Sequence, residues 1–212
     1  MGLSSPSNQV RVGLLGGSFD PIHTAHIKLA NTALDFLGAE SVQLIPAAAP
    51  WQRAPLATSP EHRAAMVKLA ITGQPGLVLN TIELDRGGPS YTVDTLRALI
   101  ARDSDENRSH IQYVWILGAD QLSNFCTWHQ WRELAEIVEL AVAARPGSEP
   151  EPPEPLRLAL NEYNRPLHHL PMPEMLVSGS GIRRRLIHKE PVDGLVPDEV
   201  LRYINLHHLY QA

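Results

Sequence analysis

A chain of 212 residues with 43 % hydrophobic content can bury one substantial core, which excludes overall disorder. Its net charge of -5 offers no footprint for DNA, RNA or an acidic membrane, so any anionic ligand has to be held by a local site. The single cysteine, Cys126, excludes an internal disulfide and a multi-cysteine metal site and fits a reducing compartment, hence the cytoplasm.

Residues 1–9 are short, polar and without an apolar centre, and read as a flexible leader rather than a signal peptide or anchor. Pro6 stands where N-myristoylation requires Ser or Thr, and no stretch approaches the roughly 20 apolar residues of a membrane span. Residues 10–212 read as one domain. Val10 to Leu15 is an apolar run ending in Gly16-Gly17, as in a strand buried on both faces that enters a tight turn. From His23 to Leu37 the apolar positions recur at three- and four-residue spacing, and Gly38 sits where a helix stops. With a strand over Ser41 to Pro46 this makes a βαβ unit.

The alternation continues with a helix from Pro60 to Thr72, opened by Thr58 or Ser59, and a strand from Leu77 to Leu84. A helix over Tyr91 to Arg102, a strand over Ile111 to Leu117, a helix over Trp128 to Ala135 and a strand over Val138 to Ala144 follow. Residues 146–155, rich in Pro and Glu, read as a solvated loop, Pro166 to Leu170 offers a sixth strand, and a helical part occupies 181–212. The fold class expected is α/β, a Rossmann-like doubly wound parallel sheet of five to six strands with a C-terminal helical region. Ligands of such sheets bind beyond the carboxyl ends of the strands where the strand order reverses, so the loops after Leu15 and Leu117 are the places to seek chemistry.

The first of these loops is GGSFDPIHTAH. Gly16 and Gly17 let backbone N–H groups approach a ligand, and Asp20-Pro21 makes a rigid turn before a helix whose first N–H groups favour an anion. His23 and His26, three residues apart, share one face of the first turn and can donate to phosphate oxygens. Taken alone, a pair among ten histidines is more often ordinary surface or satisfied interior. Zinc is a weaker alternative, since metalloenzyme helices space their ligands four apart around a Glu, and no Gly-Lys-Ser/Thr makes this a Walker loop.

The string resembles the GGxFDPxHxGH signature of the HxGH nucleotidyltransferase superfamily, with Ala25 where glycine is usual. That resemblance implies an ATP site made by Gly16, Gly17, Ser18, Phe19, His23 and His26. A second element of the superfamily, shaped like SxTxIR, is matched by Ser178, Ser180, Ile182 and Arg183 in VSGSGIRRRL, and Gly118 and Asp120 in ILGAD end the fourth strand beside the first loop. The runs GGPSYTVDTL, TWHQW and LVPDEVLRYINLHHLY extend the likeness from Val12 to Tyr210 and are similar to the bacterial nicotinate mononucleotide adenylyltransferase family.

Membership there would imply adenylyl transfer from ATP to nicotinate mononucleotide in NAD biosynthesis, with His23, His26 and Arg183 as catalytic groups. Tyr91 and Thr92 would receive the nicotinate carboxylate, Trp128 would stack on the pyridine ring, and Arg53 would contact the acceptor phosphate. Magnesium would enter on the ATP phosphates, with no metal site of the protein's own. ATP and the acceptor would be the partners, with no nucleic acid and no membrane, and a homo-oligomeric state stays open. Pantetheine phosphate adenylyltransferase, or a catalytically silent nucleotide-binding protein, is the alternative.

Overall fold

The computed structural model describes residues 9–50, 56–106, 108, 110–144, 147, 149–173 and 175–211. The expected leader lies almost wholly outside them, as does Arg53. Six parallel strands form one sheet in the order β3-β2-β1-β4-β5-β6, where β1 is Val10–Gly17, β2 Ser41–Pro46, β3 Leu77–Leu79, β4 Ile111–Leu117, β5 Glu139–Ala144 and β6 Leu167–Pro171. The strand order reverses between β1 and β4, as the doubly wound reading requires.

Apolar residues cover both faces of the sheet, so the central strands are continuous hydrophobic runs rather than alternating ones. On one face Leu15, Leu44 and Val114 pack with α1 (Thr24–Leu37), α2 (Pro60–Ile71), α8 (Gly179–Ile187) and α9 (Asp198–Leu206). On the other, Leu14, Trp115 and Val142 pack with α4 (Thr92–Asp105), α6 (Trp131–Ile137) and α7 (Glu154–Glu162). Each fully buried Leu or Val contributes about 1.5–3 kcal/mol. Helix α1 ends as its glycine demands: Gly38 adopts φ 57° and its N–H reaches back to Leu34 and Asp35. Ser59 caps α2, accepting from the His62 N–H.

Several boundaries differ from the sequence expectation for local reasons. The first strand runs on through Gly16 and Gly17, which pair with Ile45 and Pro46, so the glycines close the strand instead of making the turn. The strand expected to reach Leu84 stops at Leu79, because the Asn80 side chain accepts from the Ile82 N–H and turns the chain into a short helix, α3 (Ile82–Arg86). Trp128 precedes its helix: α5 (Ala119–Ser123) and a 3-10 turn at Phe125–Thr127 come first, and α6 starts at Trp131. The Pro/Glu-rich stretch ends in the first turn of α7, with Pro153 as its cap, Pro155 inside the first turn, and Leu156, Ala159 and Leu160 on its buried face.

Candidate active site

At the carboxyl ends of the strands two cavities open side by side. The larger, about 820 Å³, is lined by Ser18, His23, Ala25, His26, Gly118 and Asp120 from the switch point and by Ser178, Ser180 and Arg183 from the start of α8. His23 caps α1 from an extended conformation and is only 6 % exposed. Its ring stacks on that of His26 at 3.6 Å between centroids, Phe19 meets His26 edge-on, and the His23 N–H donates to His26 Nδ1 at 3.3 Å. Burial lowers the His23 pKa to about 4, so the ring is neutral at pH 7, and its Nδ1 is buried without a hydrogen-bond partner. The start of α1 is held from the far end of the chain, with Thr24 N–H and Oγ1 both donating to the Leu195 carbonyl.

Asp20 is the anchor of this loop. Its carboxylate, 2 % exposed, accepts from Thr58 Oγ1 at 2.8 Å, from the Ala57 N–H at 2.9 Å and from Tyr210 Oη at 2.7 Å. Its carbonyl accepts from Arg183 Nη1 at 2.6 Å, which draws α8 against the cleft. Burial foremost, with the Asp20 bond added, pushes the Tyr210 phenol well above its ordinary value, so it stays a donor. At the head of α8 the Ser178 hydroxyl is engaged as the cap, accepting from the Gly181 N–H, and Ser180 Oγ lies 3.4 Å from it.

The smaller cavity, about 140 Å³, lies on the other side of Ser18 and is lined by Gly16, Gly17, Glu83, Ser90, Thr92, Trp115, Trp128 and His129 among others. Ser18 and Gln121 line both cavities. Trp128 stacks on Phe125 at 5.0 Å, and its Nε1 is buried without a partner. Glu83 is buried, which raises its pKa, while hydroxyls of Ser90 and Thr95 pull the other way. Thr92 opens α4, where backbone N–H groups are not consumed by the helix.

The family model of cytidylyltransferase-like proteins matches residues 14–185. A relative from Bordetella parapertussis, described as a probable nicotinate-nucleotide adenylyltransferase, is 53 % identical over 95 % of this chain and 98 % of its own. One of the same description from Methylibium petroleiphilum is 44 % identical over 96 % of this chain and 94 % of its own. The chain belongs to the nicotinate-nucleotide adenylyltransferase family. Its fold is that of the Plasmodium falciparum nicotinic acid mononucleotide adenylyltransferase solved with NaAD, with a TM-score of 0.76 at 17 % identity over 95 % of this chain and 98 % of that one.

Against that family pattern the sequence-derived residues sort by cavity. Ser18, His23, His26, Gly118, Asp120, Ser178, Ser180 and Arg183 all line the larger one. Gly16 and Gly17, assigned to ATP, line the smaller one instead, and a Cβ on Gly16 would sit 2.6 Å from Trp115 Cζ2. Here glycine makes room for an indole under the pocket. Phe19 lines neither: it is 1 % exposed at φ 47° and packs beneath Gly17, so its side chain belongs to the core. Of the Tyr91–Thr92 pair only Thr92 faces the pocket, because the Tyr91 N–H is committed to the Pro89 carbonyl and the ring lies against His129. The Ser90 N–H is likewise taken up by Ala49. Gln121, Glu83, Trp115 and His129 were not singled out from sequence, since each is an ordinary residue of its helix, strand or turn.

Among the described residues no group of three or more His, Cys, Asp or Glu could hold a metal ion, and no helix is long and apolar enough to cross a membrane.

Proposed function

We infer that the protein transfers the adenylyl group of ATP to nicotinate mononucleotide, forming nicotinate adenine dinucleotide and pyrophosphate in NAD biosynthesis. One observation carries the reading: a large cleft rich in phosphate donors and a small aromatic pocket share Ser18 and Gln121 at the switch point of the sheet, in a chain of this family. ATP occupies the large cleft in this reading, with its α-phosphate near Ser18. The pyridine ring enters the small pocket against Trp128, which leaves the acceptor's phosphate at the seam.

That phosphate is already an anion at neutral pH, so no side chain has to create the nucleophile. The work of the protein is alignment and charge, in an in-line displacement with pyrophosphate leaving. Neutral His23, His26 with its Nδ1 turned to the His23 N–H, Ser180 and Arg183 supply donors to the phosphates, in place before reaction because the loop is pinned through Asp20. Magnesium supplies charge neutralisation on the triphosphate when bound. The donors fit an ion carried in on ATP: the Asp20 carboxylate is spent on Thr58, Ala57 and Tyr210, which leaves Asp120 as the cleft carboxylate able to offer an oxygen. We place the activity in the cytoplasm, where the lone Cys126 stays a thiol.

The test is pyrophosphate release with ATP, magnesium and one of three acceptors: nicotinate mononucleotide, nicotinamide mononucleotide or phosphopantetheine. The acid should be preferred over the amide by at least about a hundredfold in kcat/KM, because the N–H groups at the start of α4 reward a carboxylate and leave a carboxamide poorly paired. Phosphopantetheine as best substrate, or no turnover with any of them, would refute the reading.

A further inference from the structure

Among the described residues Arg63, on α2, is the largest side chain sealed from solvent, 1 % exposed. Among the described residues it has no carboxylate within ion-pair distance. Its guanidinium donates instead to three carbonyls from separate segments: Nη1 to Ser18 at 2.8 Å, Nη2 to Ala48 at 3.4 Å and Nε to Thr58 at 3.4 Å. Beyond those carbonyls, only more distant charges, Asp20 foremost, offset the cost of burying the guanidinium, and replacing such a buried charge by an apolar side chain of the same volume is often neutral or stabilising. Stability alone is therefore a weak reason for a charge at this position, and burial lowers its pKa against the opposing pull of Asp20.

The three carbonyls lie on segments that join, directly or through one hydrogen bond, the walls of the two cavities. Ser18 belongs to both cavity walls. Ala48 precedes Ala49, which exchanges two bonds with Ser90 of the small pocket: the Ala49 N–H donates to Ser90 Oγ, and the Ser90 N–H to the Ala49 carbonyl. Thr58 donates to Asp20, whose carbonyl accepts from Arg183 of the large cleft.

We propose that Arg63 is the positioning residue that sets the small pocket and the large cleft at the spacing required for in-line transfer. It lines neither cavity, so it acts through Ser18, Ala48 and Thr58 rather than on substrate. Its planar fork suits this task in a way that a lysine ammonium does not. The proposal rests on the adenylyl-transfer reading, in which the two bound phosphates meet beside Ser18.

Arg63→Lys keeps charge and stem but cannot serve three carbonyls at once. It should lower kcat about 100-fold, the cost of an ångström of misalignment, while the KM for ATP moves less than threefold. In Arg63→Ala, millimolar guanidinium chloride should restore kcat at least tenfold and saturably, and ammonium chloride should not. Should Arg63→Ala not fold by circular dichroism, Arg63→Lys alone decides. A folded Arg63→Lys with kcat within threefold of wild type overturns the proposal. So does a loss carried by the KM for ATP at unchanged kcat, or a folded Arg63→Ala that guanidinium does not restore. Wild-type turnover with nicotinate mononucleotide, measured alongside, checks the underlying reading separately.

Discussion

Exchanging His23 for asparagine should remove a pH dependence of stability that can be worked out from its burial. An unfolded chain binds a proton on this residue below about pH 6.5, the folded chain only below about pH 4, because the buried ring resists charge. Between those values the unfolded state holds more protons, so stability rises with pH; the contribution is fully present above pH 6.5 and is lost as pH falls towards 4. At about 1.4 kcal/mol per pH unit the loss is about 2 kcal/mol at pH 5 and about 3 kcal/mol at pH 4. Urea unfolding of wild type and His23→Asn from pH 7.5 to 4.5 isolates the effect, since other titrating groups act alike in both. The wild type should lose that much more stability than the variant over the acid range. A bound triphosphate favours the charged ring, so ATP binding near pH 5.5 should take up protons in wild type and fewer in the variant, as calorimetry in two buffers would read. The reasoning fails if the two proteins lose stability in parallel, or if the His23 ring titrates between pH 6 and 7 by NMR.

Three further outcomes follow from the same geometry. Trp128→Ala should raise the KM of the acceptor at least tenfold and leave that of ATP nearly unchanged, since stacking on a pyridine ring acts on one half of the complex; equal effects on both substrates would return Trp128 to a packing role. Gly16→Ala places a methyl 2.6 Å from Trp115 Cζ2 and should cost about 1–3 kcal/mol while impairing acceptor rather than ATP binding, as thermal unfolding and the two KM values would report. Asp20→Asn sets an amide N–H₂ among three donors and should cost about 2–5 kcal/mol in denaturant unfolding, with kcat falling because the loop and Arg183 lose a common anchor.

The sheet was legible because its signals are local. The runs of β2 and β4 are apolar enough to be buried on both faces, and Gly38 marks the end of α1 by needing a positive φ. Where the reading slipped, a side chain or a tertiary contact overrode the pattern. Asn80 ends β3 with a hydrogen bond that no periodicity reveals, and Pro153 and Pro155 read as loop although proline favours a helix's first turn. At the site, the two histidines and the serine-arginine element come from short motifs and could be read directly. Glu83 and Arg63 could not: Glu83 falls in the strand expected to reach Leu84, and a charged residue such as Arg63 on a helix reads as solvated until the packing shows it enclosed.

The division into two cavities also says where specificity can change without loss of chemistry. The larger cleft is built by the turn after β1, the end of β4 and the head of α8, all of which fall within the segment matched by the broad cytidylyltransferase-like family model. The smaller pocket shares β1 and β4 with it through Gly16, Gly17 and Trp115, and adds the exit of β2, the turn into α4 and the residues around Trp128. In the proposed reading each half holds its own ligand, so substitutions at Thr92 or Trp128 should alter the choice of acceptor while ATP affinity holds. The two halves meet at Ser18 and Gln121, which line both walls, and in its proposed role Arg63 joins them by holding the Ser18 carbonyl from behind. Changes at those three positions should depress turnover for every acceptor alike, since they move the reacting phosphates relative to one another whatever the small pocket contains.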